Sequence, residues 1–85
     1  MATMIDQWTP VYSPWRHGGW YVHNVRYPSG AIGCVSRNYP DKKWRIVCDS
    51  RPDDHTYRTR DDAAKAERDL INDPAYMQLH EQRYR

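Results

Sequence analysis

The stretch WYVHNVRYPSGAIGCVSR, residues 20–37, decides the fold class of this 85-residue chain. Residues 20–27 are rich in aromatic and β-branched side chains, which is typical of a β-strand. In the PSG segment that follows, Pro28 favours the first corner of a turn, and Gly30 can adopt the left-handed conformation that closes a three-residue hairpin. The stretch therefore predicts an antiparallel hairpin whose second strand covers residues 31–37.

Further strands are predicted after this hairpin. Residues 44–49 are predicted to form the third strand of the sheet, and residues 55–58 are a candidate short fourth strand at its edge. Residues 1–19 contain Pro10, Pro14 and paired glycines, which break any period, so we expect an irregular aromatic arm there. The aromatic side chains of this arm either cover the edge of the core or contact a partner.

Two helices are predicted at the C-terminal end. Thr59 is a typical N-cap residue, and two aspartates follow in the first turn, where the helix dipole favours negative charge. This helix is predicted to run to about Asn72, and Pro74 then begins a short second helix ending near Tyr84. The expected fold is α+β, a three-stranded antiparallel sheet packed on one helix. The expected segments are an arm (1–19), a β-β-β-α domain (20–73) and a C-terminal helix (74–85).

The period of two along each strand sorts the side chains into two faces, if Tyr27 pairs with Ala31. The face expected to lie under the helix holds Trp20, Val22, Ile32, Cys34, Trp44, Ile46 and Cys48. The opposite, open face is expected to hold Tyr21, His23, Val25, Tyr27, Gly33, Val35, Arg37, Arg45 and Val47. On the helix, Glu67 falls within the apolar arc, and we expect a structural carboxylate that bonds a Trp N–H or an Arg.

Composition indicates a folded binding domain with an aromatic core. Four Trp and seven Tyr compensate for the scarcity of aliphatic residues. Residues 1–48 carry six basic and two acidic side chains, a balance of +4, whereas residues 49–85 carry seven and nine, a balance of −2. This asymmetry indicates an acidic partner for the first half. No apolar run is long enough for a membrane span, so we expect no membrane partner, a cytoplasmic protein, and reduced cysteines at 34 and 48.

The expected activity is binding rather than catalysis. The two cysteines lack the close spacing of structural zinc ligands, so no metal and no cofactor is expected. The candidate partner-binding residues are Tyr21, His23, Arg26, Tyr27, Arg37 and Arg45. A small nuclease is the one enzyme that the residues would allow, with His23 as the acid–base group and the arginines as phosphate clamps.

The order of three strands and a helix, with Thr-Arg-Asp-Asp (residues 59–62) at the helix start, resembles the AP2 domain and the arm-binding domain of tyrosine recombinases over residues 19–71. In those families the exposed face of the sheet enters the DNA major groove through Arg and Trp side chains. The resemblance implies such contacts for Arg26, Arg37, Arg45 and Trp44. The small, compact chain also resembles accessory proteins of phages and mobile elements.

Two binding hypotheses follow from these features. The first is a phage-like module that binds and modulates or inhibits a host protein machine, such as a defence nuclease complex or a polymerase, because Tyr, Trp and Arg dominate interface hot spots. The second is a nucleic-acid-binding protein that uses the basic aromatic face of its sheet. The sequence favours the first, because the isoelectric point is only 8.6 and the helix is acidic.

Overall fold

The computed structural model of the protein describes residues 7–83, with side chains for residues 7–79, and shows an α+β fold. Four antiparallel strands form one sheet in the order β1-β2-β3-β4, and two helices follow. The strands are β1 (Tyr12–Trp15), β2 (Gly19–Arg26), β3 (Ile32–Ser36) and β4 (Arg45–Ile46). The helices are α1 (Arg60–Ile71) and α2 (Pro74–Arg83). No helix in the described part of the chain is both long and apolar enough to cross a membrane.

The hairpin between β2 and β3 confirms the predicted turn. The backbone N–H of Tyr27 donates to the Ala31 carbonyl at 2.9 Å, and the Gly30 N–H donates to the Tyr27 carbonyl at 2.9 Å. Gly30 has a φ of +92°, which side-chain-bearing residues rarely adopt.

The strand that completes the four-stranded sheet is β1, which lies in the segment where an irregular arm was expected. That expectation is therefore wrong for Tyr12–Trp15. These residues form β1 and pair with β2, with Tyr12 opposite Val22. Pro14 is tolerated because β1 is an edge strand, which needs donors on one side only. The predicted strand at 55–58 is reduced to one bridge between Tyr57 and Trp44. Residues 1–6 of the expected arm lie outside the described residues.

An irregularity in β2 overturns part of the predicted face assignment. Val22 pairs with Gly33 and Arg26 pairs with Ile32, so four steps along β2 match one step along β3. This odd shift reverses which β3 residues share a face with the start of β2. The expected face assignments are therefore wrong for Cys34, which pairs with Tyr21, and for Val25, Tyr27, Gly33 and Val35, which lie on the helix side.

The core lies between the sheet and α1. Val22, Val25, Val35, Ile46, Ala63 and Ala64 form it, and the prediction is confirmed for Val22 and Ile46. Trp20, Trp44 and Leu70 pack half-buried against this cluster.

The helix boundaries follow the predicted signals. Thr59 caps α1 by accepting the Asp62 N–H through Oγ1 at 3.0 Å, and Asn72 is its C-cap. Asp73 Oδ1 accepts the Ala75 N–H at the start of α2. The predicted end near Tyr84 lies outside the described residues.

Candidate functional site

A groove of about 430 Å³ opens beside the first residue of α1. It is lined by Trp20, Trp44, Arg16, Arg37 and Arg60, together with Pro14, Gly18 and Gly19. We call it the Trp–Arg groove after its five large side chains. Because Trp20 and Trp44 also pack against the core, the groove is a continuation of the helix-covered side of the sheet.

Arg60 is held over one wall of the groove by two aromatic rings. Its Cζ lies 3.9 Å from the centre of the Tyr12 ring and 4.7 Å from that of Trp20. The Tyr12 hydroxyl donates to Asp61 Oδ1 at 2.6 Å, which ties β1 to the first turn of α1. The pKa of Tyr12 is raised, first by partial burial and then by this bond to a carboxylate. Cation–π contact of this kind orients the guanidinium without neutralising it.

Trp44 and Arg37 form another part of the groove lining. The backbone of Trp44 exchanges two hydrogen bonds with that of Tyr57, of 3.2 and 2.8 Å, which hold the Trp44 backbone just before the start of β4. The Arg37 N–H donates to the Gly18 carbonyl at 3.0 Å, and its guanidinium Cζ lies 5.6 Å from the Trp44 ring. Arg37 is exposed, so its charge is available at the groove mouth.

The groove is strongly basic because three arginine side chains and no carboxylate line it. Among the residues that the structure describes, no ion pair within 4 Å involves Arg16, Arg37 or Arg60. The ion pairs that are present involve Arg45, Arg51 and Arg68. A second hollow of about 460 Å³ adjoins the groove and shares Gly18 and Arg37 with it. It is lined by His17, Asn38 and Lys42 as well, and again by no acid.

The structure separates the predicted partner-binding residues. Arg37 lies in the groove on the helix-covered side, so its expected place on the open face is wrong for the same reason as that of Val35. Arg26 is exposed at the far end of β2. Tyr21 and His23 lie on the open face, where the Tyr21 ring is 6.0 Å from Trp15 and 6.1 Å from His23. Ser13 Oγ and His23 Nε2 are 2.5 Å apart, so one hydrogen bond joins β1 and β2 across this face.

Arg45, a candidate partner contact, is already paired with two carboxylates. Its guanidinium donates two hydrogen bonds of 2.8 Å to Asp41 and bonds of 2.7 and 2.8 Å to Asp54. It also lies 4.6 Å above the Tyr39 ring. These hydrogen bonds hold the pKa of both carboxyl groups below their usual range. Asp54 is nine residues downstream, so only the folding of its loop brings it to Arg45.

The expectation that Tyr27 is exposed is also wrong. Tyr27 is buried, and its hydroxyl donates to Glu67 Oε2. Glu67 is thus a buried carboxyl as expected, but its identified donor is a tyrosine rather than a Trp or an Arg. Burial raises the pKa of Glu67 to about 7, and the Tyr27 hydrogen bond partly opposes this rise.

Three groove residues escaped the sequence reasoning about partner contacts. Arg16 was part of the expected arm, Trp20 was placed in the core, and Arg60 was part of the helix cap. The available signal was the acid-free run between residues 6 and 41, which contains Arg16, Trp20 and Arg37. Within the described residues, no group of three His, Cys, Asp or Glu side chains is arranged to hold a metal ion.

Comparison with known proteins identifies no relative. No protein-family model matches the chain, and neither the curated proteins nor the solved structures contain a significant match.

Proposed function

We propose that this protein is a non-enzymatic nucleic-acid-binding module and that the Trp–Arg groove receives its ligand. One observation carries the proposal: three arginines without carboxylate partners line the same groove as two tryptophan rings. Lys and Arg side chains bind phosphates and release the counterions around them, and aromatic rings stack on bases. The groove combines both chemistries on one surface.

The distribution of charge is the reason to prefer this ligand over a protein partner, which the sequence favoured. The isoelectric point of 8.6 is only moderately basic because acidic side chains lie outside the groove, as Asp41 and Asp54 do where they neutralise Arg45. The modest net charge of +2 therefore coexists with a local concentration of free positive charge. Local potential, rather than net charge, steers a polyanion to its site.

A second candidate is a module that binds and modulates or inhibits a host protein machine. The open face supports it, because Trp15 and Tyr21 are adjacent, half-exposed rings there, and Val47 is 37% exposed. Tyrosine and tryptophan are the residues most enriched among interface hot spots. A phage or mobile-element origin, a defence nuclease or polymerase as target, and a cytoplasmic location belong to this candidate.

A salt titration of binding tests the first proposal. Fluorescence anisotropy would follow short labelled single-stranded and duplex DNA and RNA from about 20 to 300 mM salt, a range over which phosphate contacts weaken steeply. Arg37→Ala is expected to weaken binding several-fold and to reduce the salt slope by about one contact. Arg26→Ala is the matched control, because it removes the same charge about 20 Å along β2 from Trp20.

The outcomes separate the two candidates. Undetectable binding to every nucleic acid at low salt would remove the first proposal. A host protein that is retained after nuclease digestion, and lost in Trp15→Ala or Tyr21→Ala but not in Arg37→Ala, would establish the second.

A further inference from the structure

We infer that the nucleic acid bound in the Trp–Arg groove is a single strand, and that one unpaired base stacks on Trp44 while its flanking phosphate enters the hollow at Lys42. This inference rests on the proposed function and specifies the form of the ligand and its orientation.

The size and shape of the groove favour an unpaired base. Its volume of about 430 Å³ lies within the range of pockets that enclose small ligands. Both Trp20 and Trp44 line this space, so an indole ring is available to a base that enters it. A base in a duplex is stacked and paired, so it would have to leave the helix to stack on one of these rings. A single strand can insert a base at no comparable cost.

The two tryptophans are not equivalent as stacking surfaces. Arg60 lies 4.7 Å from the Trp20 ring and is itself held by Tyr12 at 3.9 Å, so that face of Trp20 is occupied. Arg37 lies farther from Trp44, at 5.6 Å, and its side chain is exposed. An incoming base can therefore displace the Arg37 guanidinium from Trp44 or stack against it. Trp44 is the platform that a base can reach.

The adjoining hollow suits the phosphate of the same nucleotide. It is lined by Lys42, His17 and Asn38, with no acidic side chain, and Arg37 lines both spaces. A base on Trp44 thus places its sugar–phosphate next to two cationic side chains. A sulfate-like anion alone would gain only the charges, whereas a nucleotide gains the charges and the ring.

The test compares four probes of equal charge on the wild-type protein: a single-stranded oligonucleotide, a duplex, an abasic single strand and polyglutamate. We expect about tenfold tighter binding of the single strand than of the duplex or the abasic strand, because base–aromatic stacking supplies the difference. This comparison needs no variant, so it remains decisive even if a substitution at Trp44 destabilises the fold.

Two variants then test which residue stacks on the base and which contacts the phosphate. Trp44→Leu is expected to reduce the affinity for the normal strand to that for the abasic strand, and to leave abasic binding unchanged. Lys42→Ala is expected to weaken both strands by the same factor. Tyr21→Leu is the aromatic control, because Tyr21 lies on the open face and lines neither the groove nor the adjoining hollow, and it should alter neither affinity. Thermal unfolding would verify that each variant is folded.

The results distinguish failure of this inference from failure of the proposed function. Equal affinity for the single strand, duplex and abasic strand would overturn the stacking inference and leave nucleic-acid binding standing. Polyglutamate binding as tight as that of the single strand would show that the groove recognises acidic chains in general, which overturns the inference. No binding to any nucleic acid would overturn both.

Discussion

The Tyr27 hydroxyl donates a 2.5 Å hydrogen bond to Oε2 of Glu67 inside the core, and both residues are buried. Glu67 Oε1 faces Gly33 and has no hydrogen-bond partner among the described residues, although the nearby Cys34 backbone opposes the rise in the Glu67 pKa. A desolvated carboxylate with so few donors is costly. The protein is therefore expected to hold Glu67 protonated at mildly acidic pH.

Stability should fall as the pH rises through the titration of Glu67. Its pKa is about 7 in the folded protein and 4.5 in its ordinary range, so the folded state binds the extra proton between these values. The free energy of unfolding is expected to decrease by roughly 2–4 kcal/mol from pH 4.5 to pH 7.5. In Glu67→Gln, which keeps the shape and accepts the Tyr27 bond, this decrease should disappear.

Urea denaturation at several pH values measures this effect, with Asp53→Asn in the exposed loop as the control. Asp41 and Asp54 act with the opposite sign, because Arg45 lowers their pKa and their contribution is lost only as the pH falls below 3.8. A wild-type profile that is flat or rising between pH 4.5 and 7.5 would contradict the buried protonated carboxyl.

Gly33 is expected to tolerate no side chain. A Cβ there would lie 2.6 Å from Glu67 Oε1 and 2.8 Å from Val25 Cβ. Gly33→Ala should therefore destabilise the protein by about 1–3 kcal/mol through overpacking. Gly30→Ala is the comparison, because nothing lies within 4 Å of its Cβ and the cost comes from its φ of +92° alone. Adding Glu67→Ala should reduce the cost at Gly33 and leave that at Gly30 unchanged in denaturation experiments.

Arg45 should contribute little to ligand binding, although it was a predicted contact. Its charge is already balanced by Asp41 and Asp54. The double variant Arg37→Ala/Arg45→Ala is expected to show the salt slope of Arg37→Ala, a loss of about one contact rather than about two. Anisotropy titrations of the wild type, Arg37→Ala and the double variant against one oligonucleotide measure the three salt slopes. A slope reduced by two would mean that Arg45 leaves its carboxylates on binding.

The N-cap at Thr59 should support both the helix and the groove. Thr59→Ala removes the acceptor of the Asp62 N–H and is expected to cost about 1 kcal/mol, whereas Thr59→Ser should be nearly neutral. Because Arg60 is the next residue, ligand binding should also weaken modestly in the alanine variant. Denaturation with the serine variant beside it provides the measurement, and an equal loss in both would argue against the cap.

Catalysis is predicted to be absent despite the contact between Ser13 and His23. Oligonucleotide and ester substrates incubated with purified protein should be recovered intact. A cleavage activity that disappears in His23→Ala, while the folded state is retained, would instead make this pair the start of an active site.

The sequence alone determined the elements whose signals are local. Three such elements are present as predicted: the PSG turn with Gly30, the N-cap at Thr59 and the start of α2 at Pro74. Each depends on backbone preferences within a few residues. Local conformational preference does not depend on what lies across the fold, so these elements could be placed without it.

Only the tertiary structure decided which side chains meet. The irregularity after Val22 shifts the pairing of β2 with β3 by an odd number of residues, so it reverses which β3 side chains share a face with Val22. A strict alternation along the sequence assumes regular pairing and therefore cannot predict this reversal. Arg45 loses its free charge because a loop returns Asp54 to it, and the groove joins Trp20, Trp44 and Arg60 from segments up to forty residues apart. Such contacts form only when distant segments of the chain fold against each other, and the spacing of residues along the sequence does not predict which segments meet.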